Sequence, residues 1–313
     1  MSLIQKIFSL PEFKDAPPVL IDIGASGKIH PKWKKIAKYS ICISFDADER
    51  KMGYIVNEGK TFKKQYVYNC IVGDKKQEND FYLTQSPYCS STLKPDITKL
   101  NDYAFVELFG VKDTIRLKSI DLISVLKELN ITQIDWFKTD SQGADLRLFQ
   151  NIDKEIINKV LVAEFEPGLI DAYEGEDKLH QLISYMDGKD FWISDMLIKG
   201  SQRISKATKD KKFNTFQKKI ISAIIKTSPG WAEIVYFNTL KKEIFSKRDF
   251  LLCWIFACIQ KQYGFALDTS IKGMEKFNDP IFKLMEQYAY NKINIKLLNF
   301  PIFIMKKVIQ KYF

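Results

Sequence analysis

Short apolar segments alternate with segments of helical spacing along the first 240 residues, and this alternation limits the fold more than any other feature. Val19–Gly24 is predicted to be a buried strand that ends in a glycine turn, and Ser40–Asp46 a second strand that ends on an acid. Further strands are predicted at residues 65–72, 134–139, 159–166, 191–195 and 232–240. Because strands that alternate with helices at this spacing form βαβ units, we predict an α/β fold with a doubly wound, mostly parallel, seven-stranded sheet. Such sheets bind ligands at the carboxyl ends of their strands.

Local patterns predict the elements that connect these strands. Residues 80–84 are predicted to form a hairpin with residues 65–72 through a Gly73-Asp74 turn. Trp33–Tyr39 is predicted to be helical. Ile120–Leu129 is also predicted to be a helix, since Leu122, Val125, Leu126 and Leu129 recur on one face.

The chain is predicted to divide near residue 240. Residues 1–240 would form the α/β domain, with a basic insertion rich in Lys, Ser and Thr at about 199–230. Residues 241–313 show a purely helical pattern and are predicted to form a basic C-terminal extension. Within it, Phe250–Ile259 is expected to be a buried helix and Phe300–Phe313 an amphipathic one.

The positive charge of the chain is confined to its last third. The 313 residues carry a net charge of +10, but residues 1–199 hold 27 Lys and Arg against 30 Asp and Glu, whereas residues 200–313 hold 21 against 8. Only Arg203 and Arg248 of the second segment are arginines, and base readout favours Arg, so no specific nucleic-acid partner is expected. The helix Phe300–Phe313 has two interpretations, which are contact with an anionic membrane surface and packing on the domain or a second subunit; the second is favoured.

Cysteine and histidine are few and scattered. The five cysteines form no CxxC pair and only two histidines are present, which argues against a disulfide framework and a zinc cluster, and no metal site is predicted. Free cysteines suit a reducing compartment, and neither a signal peptide nor a run of 18 apolar residues is evident. We therefore expect a cytoplasmic protein. Whether it attaches peripherally to the inner face of the membrane, and whether it forms an oligomer, are left open.

The glycine turn after the first strand is a candidate cofactor site. Gly24 and Gly27 let backbone amides approach a ligand, but the third glycine of a dinucleotide-binding GxGxxG motif is missing. Asp46, at the end of the second strand, is placed to accept hydrogen bonds from both hydroxyls of a ribose. Two acids around a glycine turn favour S-adenosyl-L-methionine (SAM), which carries an amino group and a sulfonium, over NAD. The predicted cofactor-binding residues are Asp22, Gly24, Ala25, Ser26, Gly27, Asp46, Asn69 and Asp140.

Four segments resemble the FkbM-type methyltransferases: VLIDIGASG (Val19–Gly27), ISFDAD (Ile43–Asp48), IDWFKTDSQGADLRLFQNI (Ile134–Ile152) and VAEFEPGLIDAYEG (Val162–Gly175). The third segment is the most specific, because the family carries a Lys-x-Asp-x-(Glu/Gln)-Gly-x-(Asp/Glu) run there. The resemblance covers about residues 15–240 and implies a class I Rossmann-like fold and SAM-dependent O-methyl transfer. Two departures are Asp46-Ala47, where the family usually has Glu-Pro, and Gln142, where Glu is common.

Asp140 and Lys138 are the predicted catalytic residues. Methyl transfer to a hydroxyl requires an aligned acceptor oxygen and a general base within hydrogen-bond reach. Asp140 is predicted to be that base or to orient the substrate, although an Asp at this position also suits a helix N-cap. Lys138 is expected to form an ion pair with Asp140 or Asp22. Glu164 and Glu166 are predicted to bind substrate hydroxyls, with solvated strand-end carboxylates as the alternative.

The predicted function is SAM-dependent O-methylation of a hydroxyl on a carbohydrate, a glycan or a related polar metabolite. The alternative is a non-catalytic module that binds a membrane or a partner on a degenerate methyltransferase fold. The intact residues Asp22, Gly24, Gly27 and Asp46 argue against that alternative. An NAD-dependent oxidoreductase is a third reading, which the missing glycine disfavours.

Overall fold

Seven strands form the main sheet of this protein, beside a smaller sheet and a set of helices. The computed structural model describes residues 1–25, 30–48, 61–298 and 300. The chain divides into two compact units, one of Val19–Lys241 and the other of Met1–Pro18 with Lys242–Phe313. The first 18 residues, predicted to belong to the domain of residues 1–240, thus cluster with the C-terminal helices. The buried guanidinium of Arg248 links these segments, because it donates to the carbonyl oxygens of Ala16 and Pro17 at 2.8 and 3.1 Å.

The main sheet has the topology that the alternating pattern predicts. The strands are β1 (Val19–Ile23), β2 (Ile41–Phe45), β3 (Lys64–Tyr68), β4 (Ile71–Gly73), β5 (Glu78–Thr84), β6 (Val111–Asp121), β7 (Trp136–Thr139), β8 (Val162–Phe165), β9 (Phe191–Ser201) and β10 (Ser228–Asn238). Their order in the main sheet is β3-β2-β1-β7-β8-β10-β9, with only β10 antiparallel to its neighbours β8 and β9. The predicted doubly wound, mostly parallel, seven-stranded sheet is confirmed. The strand order reverses between β1 and β7, and ligands of such sheets bind at this switch point.

The α-helices predicted within residues 120–129 and 250–259 are present, with shifted ends. The α-helices are α1 (Leu3–Phe8), α2 (Ile97–Leu100), α3 (Leu122–Glu128), α4 (Asp145–Gln150), α5 (Lys154–Lys159), α6 (Leu179–Asp187), α7 (Lys206–Lys212), α8 (Thr215–Ile224), α9 (Lys247–Ile259), α10 (Tyr263–Phe277) and α11 (Ile281–Leu298). The helix predicted over Trp33–Tyr39 consists of two 3-10 helices, Pro31–Lys35 and Ala37–Tyr39. Ile36 separates them, because its φ of −113° departs from the helical value.

The smaller sheet corrects one prediction. Its order is β4-β6-β5, and β5 pairs antiparallel with β6, so the predicted hairpin of residues 65–72 and 80–84 is wrong. Residues 65–72 divide between β3, in the main sheet, and β4, which pairs parallel with β6. β6 was not predicted, because its residues are mostly polar and exposed and form no apolar run.

An aromatic cluster fixes the strands that carry the candidate site. Phe149 of α4 packs against Phe137 of β7 and Phe165 of β8, with ring centroids 5.1 and 5.2 Å apart. All three rings are buried, and edge-to-face and tilted contacts of this kind add to the free energy of burial. The apolar face predicted for residues 120–129 joins the same core through α3. The carboxyl ends of β7 and β8 are therefore held by packing before any ligand binds.

The basic insertion is shorter than predicted and largely helical. Residues 199–201 belong to β9 and residues 228–230 to β10, because these strands continue as a long antiparallel ladder. The insertion proper is residues 202–227, which contain α7 and α8. Both helices have side-chain N-caps, from Ser205 and Asn214 respectively.

The C-terminal helical unit has its own core. α9 begins at Ser246, whose side chain forms a capping box with Asp249, and residues 250–258 are all buried, as predicted. α10 and α11 approach closely, since a Cβ built on Gly273 would stand 2.3 Å from the Phe282 ring. The predicted helix Phe300–Phe313 lies outside the described residues apart from Phe300. Within the described part of the chain, no helix has the length and apolar character needed to cross a membrane.

Candidate active site

The turn after β1 lies against the loop after β7. Gly24 has a φ of +77°, and a Cβ built on it would stand 2.1 Å from the backbone carbonyl oxygen of Asp140. The N–H groups of Gly24 and Ala25 donate to the carbonyl oxygen of Phe45 at 2.9 and 3.2 Å. Glycine is therefore required where the ends of β1, β2 and β7 meet. Ser26 and Gly27, also predicted to bind the cofactor, lie outside the described residues.

A pocket opens at these three strand ends, and we name it the strand-end pocket. Of the predicted cofactor residues, Gly24, Asp46 and Asp140 line it. Its apolar walls include Phe45, Ile71 and Phe81. The structure thus brings together, from three separate strands, the glycine turn and two of the predicted acids.

Two further findings refine the polar rim of the strand-end pocket. Asp48 also lines it, and the Asp48 N–H donates to Asp46 Oδ1 at 2.9 Å, which closes a tight turn at the end of β2. Asp48 was missed, although it is the second acid of the ISFDAD segment. Asn69, predicted to bind the cofactor, does not line this pocket, because its side chain is exposed between β3 and β4. Ile71, at the start of β4, lines the pocket wall.

Asp22 and Lys138 form a buried ion pair beneath the strand-end pocket. They face each other in the register of β1 and β7, and Lys138 Nζ donates to Asp22 Oδ1 at 2.8 Å. Burial by itself would lower the pKa of Lys138, but the Asp22 and Asp140 carboxylates outweigh it and raise that pKa above its ordinary value. Neither residue of the pair lines the pocket. Of its two predicted partners, Asp140 and Asp22, Lys138 thus pairs with Asp22, and its ammonium neutralises charge below the site.

The loop from Thr139 to Asp145 is held by a single buried carboxylate. Asp145 Oδ1 accepts hydrogen bonds from the Ser141 N–H at 2.8 Å and the Thr139 hydroxyl at 3.1 Å. Asp145 Oδ2 accepts one from the Glu166 N–H at 2.6 Å. Asp145 was not predicted as a site residue, although it is the last position of the Lys-x-Asp-x-Gln-Gly-x-Asp run. Its contacts explain that position, because they fix the loop that carries Asp140.

Asp140 faces the pockets and does not cap a helix. α4 has no side-chain cap at Ala144, and the Ala144 N–H donates to Ser141 Oγ at 3.0 Å instead. The Asp140 carboxylate accepts a short hydrogen bond from the Gln142 amide, and the Tyr173 hydroxyl lies 3.1 Å from Gln142 Oε1. Burial raises the pKa of Asp140 above its ordinary value, and the Lys138 ammonium limits that rise. Gln142, which replaces the common Glu, therefore orients Asp140 without adding charge.

A second pocket adjoins the first, and we name it the aromatic pocket. It has a cavity volume of about 320 Å³ and shares Tyr88, Asp140 and Gln142 with the strand-end pocket. Phe105 and Trp231 line it as a stacked pair, with ring centroids 6.3 Å apart and planes inclined by 16°. None of these aromatic residues was predicted, since they come from separate loops and from the start of β10. Asp140 stands where the two pockets meet.

Glu166 and Glu164, predicted as a substrate-binding pair, are separated by the structure. Glu166 follows the end of β8 and lines the aromatic pocket. Burial and the nearby negative charge of Asp140 raise the pKa of Glu166. Glu164 lines neither pocket; its Oε1 accepts hydrogen bonds from Trp136 Nε1 at 3.1 Å and Lys32 Nζ at 3.3 Å.

His30 also contacts Glu164, with Nε2 3.8 Å from Oε2. Burial, together with Lys138 and Lys32, lowers the pKa of His30 to about 3. At neutral pH the imidazole is therefore uncharged, and this contact is not an ion pair. Among the described residues, no group of three or more His, Cys, Asp or Glu side chains is placed to hold a metal ion.

The sheet and its pockets define the class of this protein. A doubly wound sheet whose switch-point pocket holds a glycine turn and strand-end acids is a Rossmann-like α/β arrangement. The family model described as the methyltransferase FkbM domain matches residues 33–192, slightly more than half of the chain. The chain belongs to the FkbM methyltransferase family. No curated protein and no solved structure gives a significant match.

Proposed function

We propose that this protein is a SAM-dependent O-methyltransferase that acts on a hydroxyl of a carbohydrate or a related polar metabolite. The position of Asp140 carries the proposal. Its carboxylate lines both the strand-end pocket and the aromatic pocket, so a single acid borders the two spaces between which a methyl group would pass. Family membership supports methyl transfer, and the pockets support the choice of cofactor and acceptor.

The strand-end pocket fits SAM better than a dinucleotide. Asp46, Asp48 and Asp140 line it, and among the described residues no Lys or Arg does. Such a rim repels a pyrophosphate but suits a ligand with an ammonium and a sulfonium, and Asp46 would accept hydrogen bonds from the ribose hydroxyls. Bound SAM would supply a methyl group on a positively charged sulfur.

Asp140 and Glu166 would handle the proton of the acceptor. Both border the aromatic pocket; burial raises the pKa of each, and the negative charge of Asp140 further raises that of Glu166. Because burial and the Asp140 charge both raise the pKa of Glu166, whereas the Lys138 ammonium and the Gln142 amide limit the rise for Asp140, the state we propose is a protonated Glu166 beside an ionised Asp140. Asp140 would then accept the acceptor's hydroxyl proton, and the carboxylic acid of Glu166 would donate a hydrogen bond to a neighbouring acceptor oxygen.

The lining of the aromatic pocket favours a ring-shaped acceptor with several hydroxyls. Aromatic faces such as those of Trp231 and Phe105 cover the C–H face of a sugar ring by dispersion and apolar contact. The carboxyl groups at one side provide the hydrogen-bond partners that hydroxyls require when they leave water. An acceptor with a phosphate near the methylated hydroxyl is disfavoured by the same acids.

Calorimetry tests the cofactor. The purified full chain should bind SAM and S-adenosylhomocysteine but not NAD. Asp46→Ala should weaken SAM binding by about 1.5–3 kcal/mol, the usual value for hydrogen bonds to a charged group. Asn69→Ala is the matched control, since Asn69 lies outside the pocket, and it should leave the affinity unchanged. Absence of SAM binding at millimolar ligand would contradict the proposal and favour a non-catalytic module.

Transfer of radiolabelled methyl from SAM to a panel of sugars and glycosides tests the acceptor. Trp231→Ala should leave SAM affinity unchanged and lower kcat/KM for the acceptor, because Trp231 lines only the aromatic pocket. Asp140→Asn should lower kcat more than acceptor KM. Transfer to amines or thiols in place of hydroxyls would show that the O-methyl assignment is wrong.

A further inference from the structure

The insertion of residues 202–227 carries an exposed apolar stripe. Phe216, Ile220 and Ile224 of α8 are 71%, 40% and 73% exposed. They are four residues apart, so they lie on one face of the helix, while Ile221 is buried on another face. A contiguous exposed stripe of large apolar side chains is typical of an interaction surface in a water-soluble unit.

The insertion that carries this stripe is rich in lysine. The insertion holds eight Lys and Arg residues against one acid, Asp210, and Lys218 Nζ lies 2.6 Å from that acid's carboxylate. Lys211, Lys212 and Lys219 are exposed on α7 and α8. Apolar side chains flanked by lysines are the composition of helices that lie in the interface of an anionic membrane.

The insertion is fastened beside the aromatic pocket. The Ala104 N–H donates to the Gln202 carbonyl oxygen at 2.9 Å, and Arg203 binds Asp102 at 2.8 Å. Lys206 of α7 forms an ion pair with Glu107. The segment that receives these contacts also supplies Phe105 to the aromatic pocket.

We propose that α7 and α8 dock this protein onto an anionic lipid bilayer, with the stripe of Phe216, Ile220 and Ile224 inserted between the headgroups. The lysines would lie at the level of the lipid phosphates. Docking in this orientation brings the aromatic pocket to the membrane surface, where it would meet an acceptor carried on a lipid. That last step rests on the proposed function, whereas the docking does not.

Two other occupants fit the surface less well. A second copy of α8 would bring two lysine-rich borders together, and like charges repel across a two-fold interface. Nucleic acid would leave the apolar stripe without a partner, and the one arginine of the insertion, Arg203, is bound to Asp102.

Flotation of the full chain with vesicles tests the docking. The protein should float with vesicles of phosphatidylcholine and phosphatidylglycerol, and far less with phosphatidylcholine alone. The triple variant Phe216→Ser, Ile220→Ser, Ile224→Ser should reduce the bound fraction by about tenfold or more, because apolar burial contributes most of the binding. The control is Ile271→Ser on α10, since Ile271 is 40% exposed like Ile220 and should not affect flotation.

A pair of charge reversals tests the electrostatic part. Lys211→Glu with Lys212→Glu should lower binding to anionic vesicles by about thirtyfold or more, because each lysine near a charged surface contributes about 1 kcal/mol and the reversal adds repulsion. Lys34→Glu with Lys35→Glu, also two adjacent exposed lysines, should leave it unchanged. Equal flotation of the triple variant and the wild type would overturn the proposal, as would equal binding to neutral and anionic vesicles. Binding to duplex DNA or RNA but not to vesicles, or an α8-dependent dimer, would also overturn it. Failure of SAM binding would leave the docking result standing.

Discussion

The carboxylate of Asp145 accepts a 2.6 Å hydrogen bond from the backbone N–H of Glu166, and so joins the loop after β7 to the end of β8. Asp140 lies on that loop and Glu166 at that strand end, and both border the aromatic pocket. The relative position of the two proposed proton-handling groups therefore depends on a third acid that is itself buried. Asp145 is a positioning residue, since it lines neither pocket.

Asp145→Asn should lower both stability and methyl transfer. The carboxylate of Asp145 accepts hydrogen bonds from N–H groups, and the amide nitrogen of asparagine cannot accept them. Buried donors would therefore be left unpaired, at a cost in stability of about 1–3 kcal/mol. Thermal or urea unfolding measures the loss of stability, and the rate at saturating SAM measures the loss of methyl transfer. Asp187→Asn, at the end of α6, is a control for the same change at an exposed site. An unchanged rate with a lowered stability would restrict Asp145 to a structural role.

Glu166→Gln should alter how stability depends on pH. The pKa of Glu166 is raised above its ordinary value of 4.5 by burial and by Asp140. The folded protein therefore retains a proton that the unfolded chain releases, and this contribution to stability is full below pH 4.5 and is lost as pH rises through the folded-state pKa. Glutamine cannot ionise, so the variant should lose less stability than the wild type on the alkaline side.

Melting temperatures across the neutral to alkaline range measure this difference. Glu174→Gln is the control, because Glu174 is an exposed residue paired with Lys94 at 3.2 Å. In this control, the dependence of melting temperature on pH should equal that of the wild type. A Glu166→Gln slope equal to that of the wild type would show that Glu166 is ionised throughout.

Gly24→Ala should abolish SAM binding and destabilise the fold. The new Cβ would meet the Asp140 carbonyl oxygen at 2.1 Å, and the backbone would in addition keep a φ of +77°. The matched control is Gly175→Ala, where φ is +70° but no atom lies within 4 Å of the built Cβ. The control isolates the conformational cost, about 1–2 kcal/mol. Calorimetry with SAM and urea unfolding should show the larger loss for Gly24; equal losses would remove the steric explanation.

Gly273→Ala should loosen the contact between α10 and α11. The added Cβ would stand 2.3 Å from the Phe282 ring, and overpacking of a buried contact costs about 1–3 kcal/mol. Gly264→Ala, on the same helix with open space around its Cβ, should instead be neutral or stabilise by up to about 1 kcal/mol. Urea unfolding of the two variants should move in opposite directions, and a shared direction would contradict the close packing.

Much of the fold and part of the site follow from local sequence patterns. Apolar runs predict β1, β2, β7 and β8 because a strand buried on both faces needs an uninterrupted run. β6 has no such run, so its pairing with β5 could not be predicted from local sequence. The strand-end positions of Gly24, Asp46 and Asp140 also follow, because parallel strands end at one edge of the sheet.

The remaining site residues depend on where the chain turns after each element. Strand alternation predicts one face for Glu164 and Glu166, but alternation stops where β8 ends, and Glu166 alone reaches the aromatic pocket. Asn69 follows β3 directly, yet the chain leaves the main sheet there and exposes its side chain.

Local sequence patterns were enough to predict the buried strands, the glycine turn, the acids at the strand ends and the concentration of positive charge after residue 200. All of these are properties of contiguous segments. Long-range packing brings Tyr88, Phe105 and Trp231 into one pocket beside Asp140, and it attaches the basic insertion to the segment that supplies Phe105. Pockets are formed by residues far apart in the chain, and their position depends on packing, which local composition does not specify.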